Sequence, residues 1–364
     1  MCSRDAKILI ADWLPKKLFN CFLDLTINNI IHFNDFKENI FVLNRFWLGI
    51  LLFWITFTAQ ASQVPQVVVS IKPIHSLVMN VMEGIAEPYL LLSGGESPHT
   101  YSLRPSQVRQ LHQANLLIWI GPSIETFLDK TVATLSNQTQ QLRLFELPNL
   151  SLLKIRKGGA WETSHSHDEK KETTPTHKEP EEVHSEAFKQ AYQWDQHIWL
   201  DPHNAKVMVS AIVQALTQVD PDHASQYTKN ANSLIQRLDE LDQHLRKSLL
   251  ASQNLPFLVF HDAYHYFENR YHLTAVGSIT LSPETLPSAK RLQALRTRIN
   301  QLQVRCIFSE PQFESSLVKT LIEGTSVRPG TLDPLGIELA AGTAAYFELL
   351  RQLAQLLNEC LLSQ

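Results

Sequence analysis

Residues 220–251 read DPDHASQYTKNANSLIQRLDELDQHLRKSLLA, and the rest of the chain is organised around this stretch. Apolar residues recur in it at alternating spacings of three and four, so that they form one continuous stripe. An acidic cap and a proline precede the stripe, and two basic residues lie near its end, as helix termini prefer. The pattern predicts a helix over residues 222–251, roughly 40 Å long at 1.5 Å per residue. A helix of that length is longer than one small domain needs.

Segments that alternate between strand and helix patterns lie on both sides of this helix. The predicted strands are residues 66–71, 89–92, 116–120 and 142–145 before it, and residues 257–260, 274–279, 304–308 and 327–332 after it. Residues 197–202 (HIWLDP) predict one more short buried strand. Because helices separate the strands, each half should hold a mostly parallel sheet flanked by helices. The sequence therefore predicts an α/β fold of two similar lobes joined by one long helix.

The amino-terminal region has the features of an export signal. Arg45 precedes an apolar run over residues 46–57, and the small residues at 59–61 (AQA) suit a signal peptidase. The run is too short to cross a hydrocarbon core of about 30 Å. We therefore predict a signal peptide over residues 45–61. Residues 1–44 are an unexplained extension, and a misplaced start near Val42 or Leu43 is favoured over a genuine one.

The remaining boundaries follow from these patterns. They predict a first lobe over residues 62–219, a linking helix over 220–252 and a second lobe over 253–364. Within the first lobe, residues 157–190 are rich in charge and proline and should form a disordered loop. The net charge of −4 gives no reason to expect a nucleic-acid partner.

Two of the four cysteines, Cys306 and Cys360, lie beyond the predicted signal peptide. An even pair in an exported protein favours a disulfide, which would fasten the carboxyl-terminal helix to a core strand. Two buried, unlinked cysteines are the alternative.

Three of the 15 histidines stand where predicted strands meet their loops. His99 lies in a glycine-rich loop after the second strand, His261 directly follows the strand PFLVF, and His197 opens its own segment. Ligands in doubly wound sheets bind beyond the carboxyl ends of strands, and neutral imidazole suits Zn²⁺. Each histidine alone favours a structural role, but their joint placement favours a metal site. Asp333, after the last strand, is either a tentative fourth ligand or a turn cap.

A second metal pattern is weaker. His265 follows His261 at the spacing of the zinc-hydrolase motif H-E-x-x-H, but Asp262 stands where that motif needs Glu, and His261 adjoins a strand instead of lying inside a helix. Glu310, a candidate general base, would reach the histidines only through folding.

Seven motifs resemble the zinc-specific periplasmic substrate-binding proteins of bacterial ABC importers, over about residues 66–361. They are SIKPI at 70, SPHTYSLRPS at 97, IWIGP at 118, HIWLDP at 197, VFHDAY at 259, FSEPQF at 308 and GTLDPLG at 330. The resemblance implies two α/β lobes, joined by a rigid helix, that clamp one Zn²⁺ through His99, His197 and His261. It implies a monomeric, non-enzymatic protein of the periplasm whose partner is an ABC permease with its cytoplasmic ATPase.

The resemblance has further consequences and open alternatives. Relatives place a histidine-rich loop before the second ligand motif, where it gathers or senses zinc; here the corresponding residues are His165, His167, His177 and His184. A merely solvated acidic loop is the alternative. Some relatives have Glu before the first ligand histidine, whereas Pro98 stands here, which favours Asp333 or a water as the fourth ligand. The resemblance also supports a Cys306–Cys360 disulfide. Alternative functions are binding of manganese or another divalent metal, a surface adhesin of the same fold, and a zinc hydrolase.

Overall fold

The computed structural model describes residues 64–135, 138–156, 193–280, 286–313 and 316–363. The predicted extension (1–44), signal peptide (45–61) and histidine-rich loop (157–190) lie outside the described residues. Within the described ranges, no helix combines the length and apolar character that crossing a membrane requires.

The first lobe is built on a four-stranded parallel sheet with the strand order β2-β1-β3-β4. Its strands are β1 (Val67–Val69), β2 (Tyr89–Leu90), β3 (Leu116–Trp119) and β4 (Gln140–Arg143). The helices between them are α1 (Lys72–Val81), α2 (Pro105–Gln113) and the short α3 (Asp129–Val132). Every residue of β1 and β3 is buried, as expected for central parallel strands covered on both faces.

The second lobe repeats this arrangement with the order β6-β5-β7-β8. Its strands are β5 (Phe257–Val259), β6 (Ala275–Ser278), β7 (Cys306–Ser309) and β8 (Arg328–Thr331). Its helices are α6 (His265–Tyr271), α7 (Ala289–Leu302) and α8 (Ser316–Ile322). In both sheets the chain order reverses between the two central strands, which is where doubly wound sheets bind ligands. The predicted α/β fold of two similar lobes is confirmed.

Helix α4 (Pro202–Val219) packs on the first sheet, and α5 (Ala224–Ser248) leads from it to the second lobe. Helix α9 (Ala345–Leu362) packs against both α1 and β8. Helix α5 packs against α4, α1 and α9. Its apolar stripe is buried, as the spacing predicted, through Tyr227, Ala231, Leu234, Leu238, Leu241 and Leu245. Turns of 3₁₀ helix flank it at Pro221–His223 and Leu250–Ser252, so the α-helix is shorter than residues 222–251. One hydrophobic core extends from β1 through α5 to β5 and α9, which ties the lobes together.

Polar contacts reinforce this connection. The Lys72 ammonium, at the start of α1, donates to the carbonyls of Gly336, Ile337 and Leu339 at 2.7–2.8 Å. These carbonyls belong to the segment between β8 and α9. Burial lowers the pKa of Lys72, and the nearby Asp333 carboxylate opposes that shift. A side chain of the first lobe therefore fixes the backbone that leads into the last helix.

Two predicted elements were wrong. Residues 197–202 form no strand: Ile198–Leu200 is a 3₁₀ helix, and Asp201 caps α4 by accepting from the His203 amide at 2.8 Å. A short buried apolar run cannot by its periodicity distinguish a strand from a helical turn. Residues 123–135, between two predicted strands, also have the pattern of a single helix, but the structure has a 3₁₀ turn (Thr126–Leu128) followed by the short α3.

The predicted disulfide is present. Cys306, at the amino end of β7, is bonded to Cys360 on α9, with the two Cα atoms 6.2 Å apart. It fastens the carboxyl-terminal helix to a central strand of the second sheet.

Candidate metal centre

His99, His197 and His261 come together between the two sheets. A ring nitrogen from each can be chosen so that all three lie within 4.8 Å of one another. Their ring centroids are 5.3–5.9 Å apart. The three residues reach this point from different elements: His99 from the loop after β2, His197 from the turn before α4, and His261 from the end of β5. The two-sheet architecture thus creates the cluster that the strand-end argument anticipated.

The distance between two of these rings fits zinc coordination. The Nε2 atoms of His197 and His261 are 3.4 Å apart. Two nitrogens bound to one tetrahedral Zn²⁺, each about 2.0–2.1 Å from it, are separated by roughly 3.3 Å. The two rings are therefore already spaced as ligands of a single ion.

Each of these rings is oriented by a buried carboxylate. His197 Nδ1 is 2.7 Å from Asp195 Oδ1, and His261 Nδ1 is 2.6 Å from Glu310 Oε1. An ionised carboxylate can only accept, so each Nδ1 carries a proton, and in the neutral ring Nε2 is the atom that presents a lone pair. The proton positions that these contacts require are those of metal-ligating histidine.

Burial keeps two of the three rings neutral. It lowers the pKa of His99 to about 2 and that of His197 to about 3, and the neighbouring histidines add to both shifts. Burial also acts to lower the pKa of His261, but the Glu310 carboxylate outweighs it, so that this pKa is raised above its usual 6.5. Burial raises the pKa of Asp195 to about 7, with repulsion from Asp262 adding to the shift.

We expect zinc affinity to fall with decreasing pH through one proton only. His261 is the ligand that gains a proton first, and a protonated imidazole cannot coordinate. Between about pH 4 and 6 the affinity should therefore change by about tenfold per pH unit. Chelator competition at several pH values checks this expectation. A change near a thousandfold per unit would mean that all three rings protonate together.

Asp333 does not join the cluster. Its Oδ1 accepts from the Leu335 amide at 2.9 Å and from Gln312 Nε2 at 3.2 Å, and its Oδ2 accepts from the Ile337 amide at 2.5 Å. These contacts are those of a turn cap, the alternative given for an Asp before Pro. His265 also stands apart: it begins α6 and lies 3.7 Å from Asp195 Oδ2. The four loop histidines, His165, His167, His177 and His184, lie outside the described residues.

Arg156 joins the two lobes beside the cluster. Its guanidinium contacts the carboxylates of Asp262, next to His261, and of Glu268 on α6. Its pKa is raised, because these two carboxylates outweigh the effect of burial. No sequence pattern indicates this ion triad, because it depends on packing between side chains that are separated by 106 and 112 positions in the chain.

The sequence positions of Asp195 and Glu310 could have indicated that they contact the ligand histidines. Glu310 directly follows β7, the same strand-end position that singled out the histidines, and Asp195 precedes His197 by two residues. Pro98, next to His99, lines the small cavity at the cluster together with Trp199, Phe313 and Leu335.

Two lobes with parallel sheets, a connecting helix and converging imidazoles between the lobes define the class of two-lobed metal-binding proteins. The family described as "Zinc-uptake complex component A periplasmic", ZnuA, matches residues 67–360. The chain belongs to this family.

Individual relatives agree with that assignment. The high-affinity zinc uptake system protein ZnuA of Brucella abortus is 43% identical over 305 residues, covering 81% of this chain and 91% of the relative. A crystal structure of ZnuA superposes with a TM-score of 0.66 at 22% identity, covering 82% of this chain and all of the other. The laminin-binding protein of Streptococcus agalactiae, a bifunctional adhesin and metal transporter, has a TM-score of 0.65 at 20% identity, covering 82% and 99%. At such low identity the two structures show a shared fold alone.

Proposed function

We propose that this protein captures Zn²⁺ between its lobes in the periplasm and delivers it to the permease of an ABC importer. His99, His197 and His261 are the ligands, a water completes the tetrahedron, and the protein acts as a monomer. The observation that carries the proposal is the convergence of three imidazoles, two of them with Nε2 atoms 3.4 Å apart. Zinc uptake is also the function that the family description and the relative from Brucella abortus carry.

The alternatives fit the site less well. Manganese prefers harder oxygen ligands, whereas the cluster consists of three nitrogens. A zinc hydrolase needs a general base beside the metal-bound water. The carboxylates that contact the cluster, Asp195 and Glu310, already accept from ligand rings. An adhesin of the same fold would need a second binding surface, and the convergence of the histidines does not require one.

Growth under zinc limitation tests the delivery step. The gene should restore growth in chelator-treated medium to a bacterium that lacks its own zinc-binding component but retains the permease. The His197→Ala variant, exported to the same level, should not. If the wild-type protein is exported and loaded with zinc yet fails to restore growth, delivery to that permease is wrong.

We further propose that the loop over residues 157–190 adds weaker zinc sites and speeds capture. Its two ends are paired at one place, since the Ile155 amide donates to the Gln193 carbonyl at 3.0 Å and the Asp195 amide to the Leu153 carbonyl at 2.9 Å. The loop can therefore be replaced by a short turn without pulling on His197. A charged, proline-rich segment must lose conformational entropy to coordinate a metal, so its sites should be weaker.

Deleting residues 157–190 should thus remove the weak class of sites and keep the tight one. Stopped-flow loading at low zinc should be slower for the deletion than for the full-length protein. A matched control keeps the loop length and replaces His165, His167, His177 and His184 with Ser. Equal loading rates for all three proteins would leave the loop without a part in capture.

A further inference from the structure

Asp195 and Glu310 are more deeply buried than their role as hydrogen-bond acceptors requires. Their side chains are 6% and 1% exposed. One oxygen of each carboxylate contacts both the ring and the backbone amide of its histidine, at 2.6–3.3 Å. The second oxygen of each, Asp195 Oδ2 and Glu310 Oε2, is buried with no hydrogen-bond partner among the described residues. Placing two carboxylates in this way is costly unless a cation compensates them.

The nearby cations compensate these carboxylates only in part. The Arg156 guanidinium acts on Asp195, but its direct contacts are with two other carboxylates, Asp262 and Glu268. His265 lies 3.7 Å from Asp195 Oδ2, and the His261 ring contacts Glu310 at 2.6 Å. The two carboxylates therefore stand directly behind the ligand rings, and each keeps one buried oxygen without a hydrogen-bond partner among the described residues.

A metal-ligating imidazole carries no charge. In the metal-binding form, with Nδ1 protonated on both rings and no proton on either Nε2, the lone pairs of His197 Nε2 and His261 Nε2 face each other across 3.4 Å. A cation between them relieves this repulsion, and imidazole accepts monovalent as well as divalent soft ions. The geometry of the three nitrogens alone would not select the charge of the ion.

We propose that Asp195 and Glu310 set the charge selectivity of the site, favouring divalent over monovalent cations. They are positioning residues that act through His197 and His261 and do not touch the ion. With the cation bound, which favours the ionised carboxylate, each supplies one negative charge one imidazole ring away from it, where little water screens the interaction. The proposal rests on the proposed zinc-binding function and adds to it the residues that exclude Cu⁺ and similar ions.

Ag⁺ and Cd²⁺ provide the test, because they are isoelectronic and differ in charge. The probes are silver nitrate and cadmium nitrate in chloride-free buffer, with affinities measured by competition in the exported protein. The disulfide between Cys306 and Cys360 leaves no thiolate there to capture silver. The variants are Asp195→Asn and Glu310→Gln, alone and together, since an amide oxygen still accepts from Nδ1–H and preserves the shape.

Each single variant should lower the affinity for Cd²⁺ by about tenfold to a hundredfold and that for Ag⁺ by about threefold to tenfold, because the monovalent ion feels half the Coulomb free energy. The double variant should lower the ratio of the Cd²⁺ affinity to the Ag⁺ affinity further. The matched control is Glu125→Gln, which removes a fully buried carboxylate that contacts the Ile120 and Gly121 amides instead of a ligand ring. The Glu125→Gln variant should keep the wild-type ratio of Cd²⁺ to Ag⁺ affinity.

Equal weakening of both ions would mean that the carboxylates only orient the rings, and unchanged affinities for both ions would mean that they neither orient the rings nor select the charge; both results overturn the proposal. Failure of the wild-type protein to bind zinc or cadmium tightly would instead overturn the proposed function. A variant that binds neither ion is compared with the wild type by circular dichroism, and a folded variant of that kind counts against the proposal.

Discussion

Replacing His197 with Ala should raise the dissociation constant for Zn²⁺ by about a thousandfold. A well-formed zinc site yields about 10–16 kcal/mol, so each of three or four ligands accounts for about 4 kcal/mol. His197 is buried, and its Nε2 lies 3.4 Å from that of His261, so that Ala at this position removes one ligand nitrogen and supplies no other. His99→Ala and His261→Ala should have effects of the same size.

Calorimetric titration with competing chelator measures this loss. The control is His112→Ala, which removes an exposed histidine at the end of α2 and should leave the tight site intact. Unchanged high-affinity binding in His197→Ala would remove this residue from the ligand set, because three protein ligands are close to the minimum for such a site.

Removing the disulfide should be the most damaging change to stability. Cys306 and Cys360 are 54 residues apart, and a crosslink over a loop of that length stabilises by about 4 kcal/mol in the chain-entropy description. We expect the double variant Cys306→Ser, Cys360→Ser to lose a comparable free energy of unfolding in urea. The zinc site should remain, because Cys306 is at the amino end of β7 and Glu310 follows its carboxyl end.

Reduction of the wild-type protein provides the matched comparison. Reduced wild type and the double-Ser variant should unfold at the same urea concentration, below that of the oxidised protein. If all three unfold together, the crosslink contributes nothing to stability. If the double variant is folded but has lost zinc affinity, the disulfide also maintains the geometry of the zinc site.

The architecture was predictable because it depends on local periodicity. The stripe from Tyr227 to Leu245 is buried, and the eight strands of the described residues overlap the segments that the sequence patterns predicted. Parallel strands place their carboxyl ends at one edge, so His99 and His261 could be grouped from the sequence. His197 was grouped with them although its segment is a 3₁₀ turn, because either conformation begins at the same residue.

What could not be predicted depends on contacts between segments that are far apart in the chain. The pairing of Glu310 with His261 requires β5 and β7 to be neighbours in the sheet, and that of Arg156 with Asp262 requires the first lobe to pack on the second. Asp333 has the right residue type and strand-end position, yet its oxygens are used by the backbone amides of its own turn. Residue type and position specify which side chains reach a region, whereas packing decides which atoms remain free to bind.

A crystal structure of the exported protein with one equivalent of zinc, with anomalous diffraction recorded at the zinc edge, tests the central claim most directly. We predict a single strong anomalous peak about 2.0–2.1 Å from one nitrogen each of His99, His197 and His261, with a water as the fourth ligand. A strongest peak elsewhere, or one bonded to fewer than three of these histidines, would contradict the account.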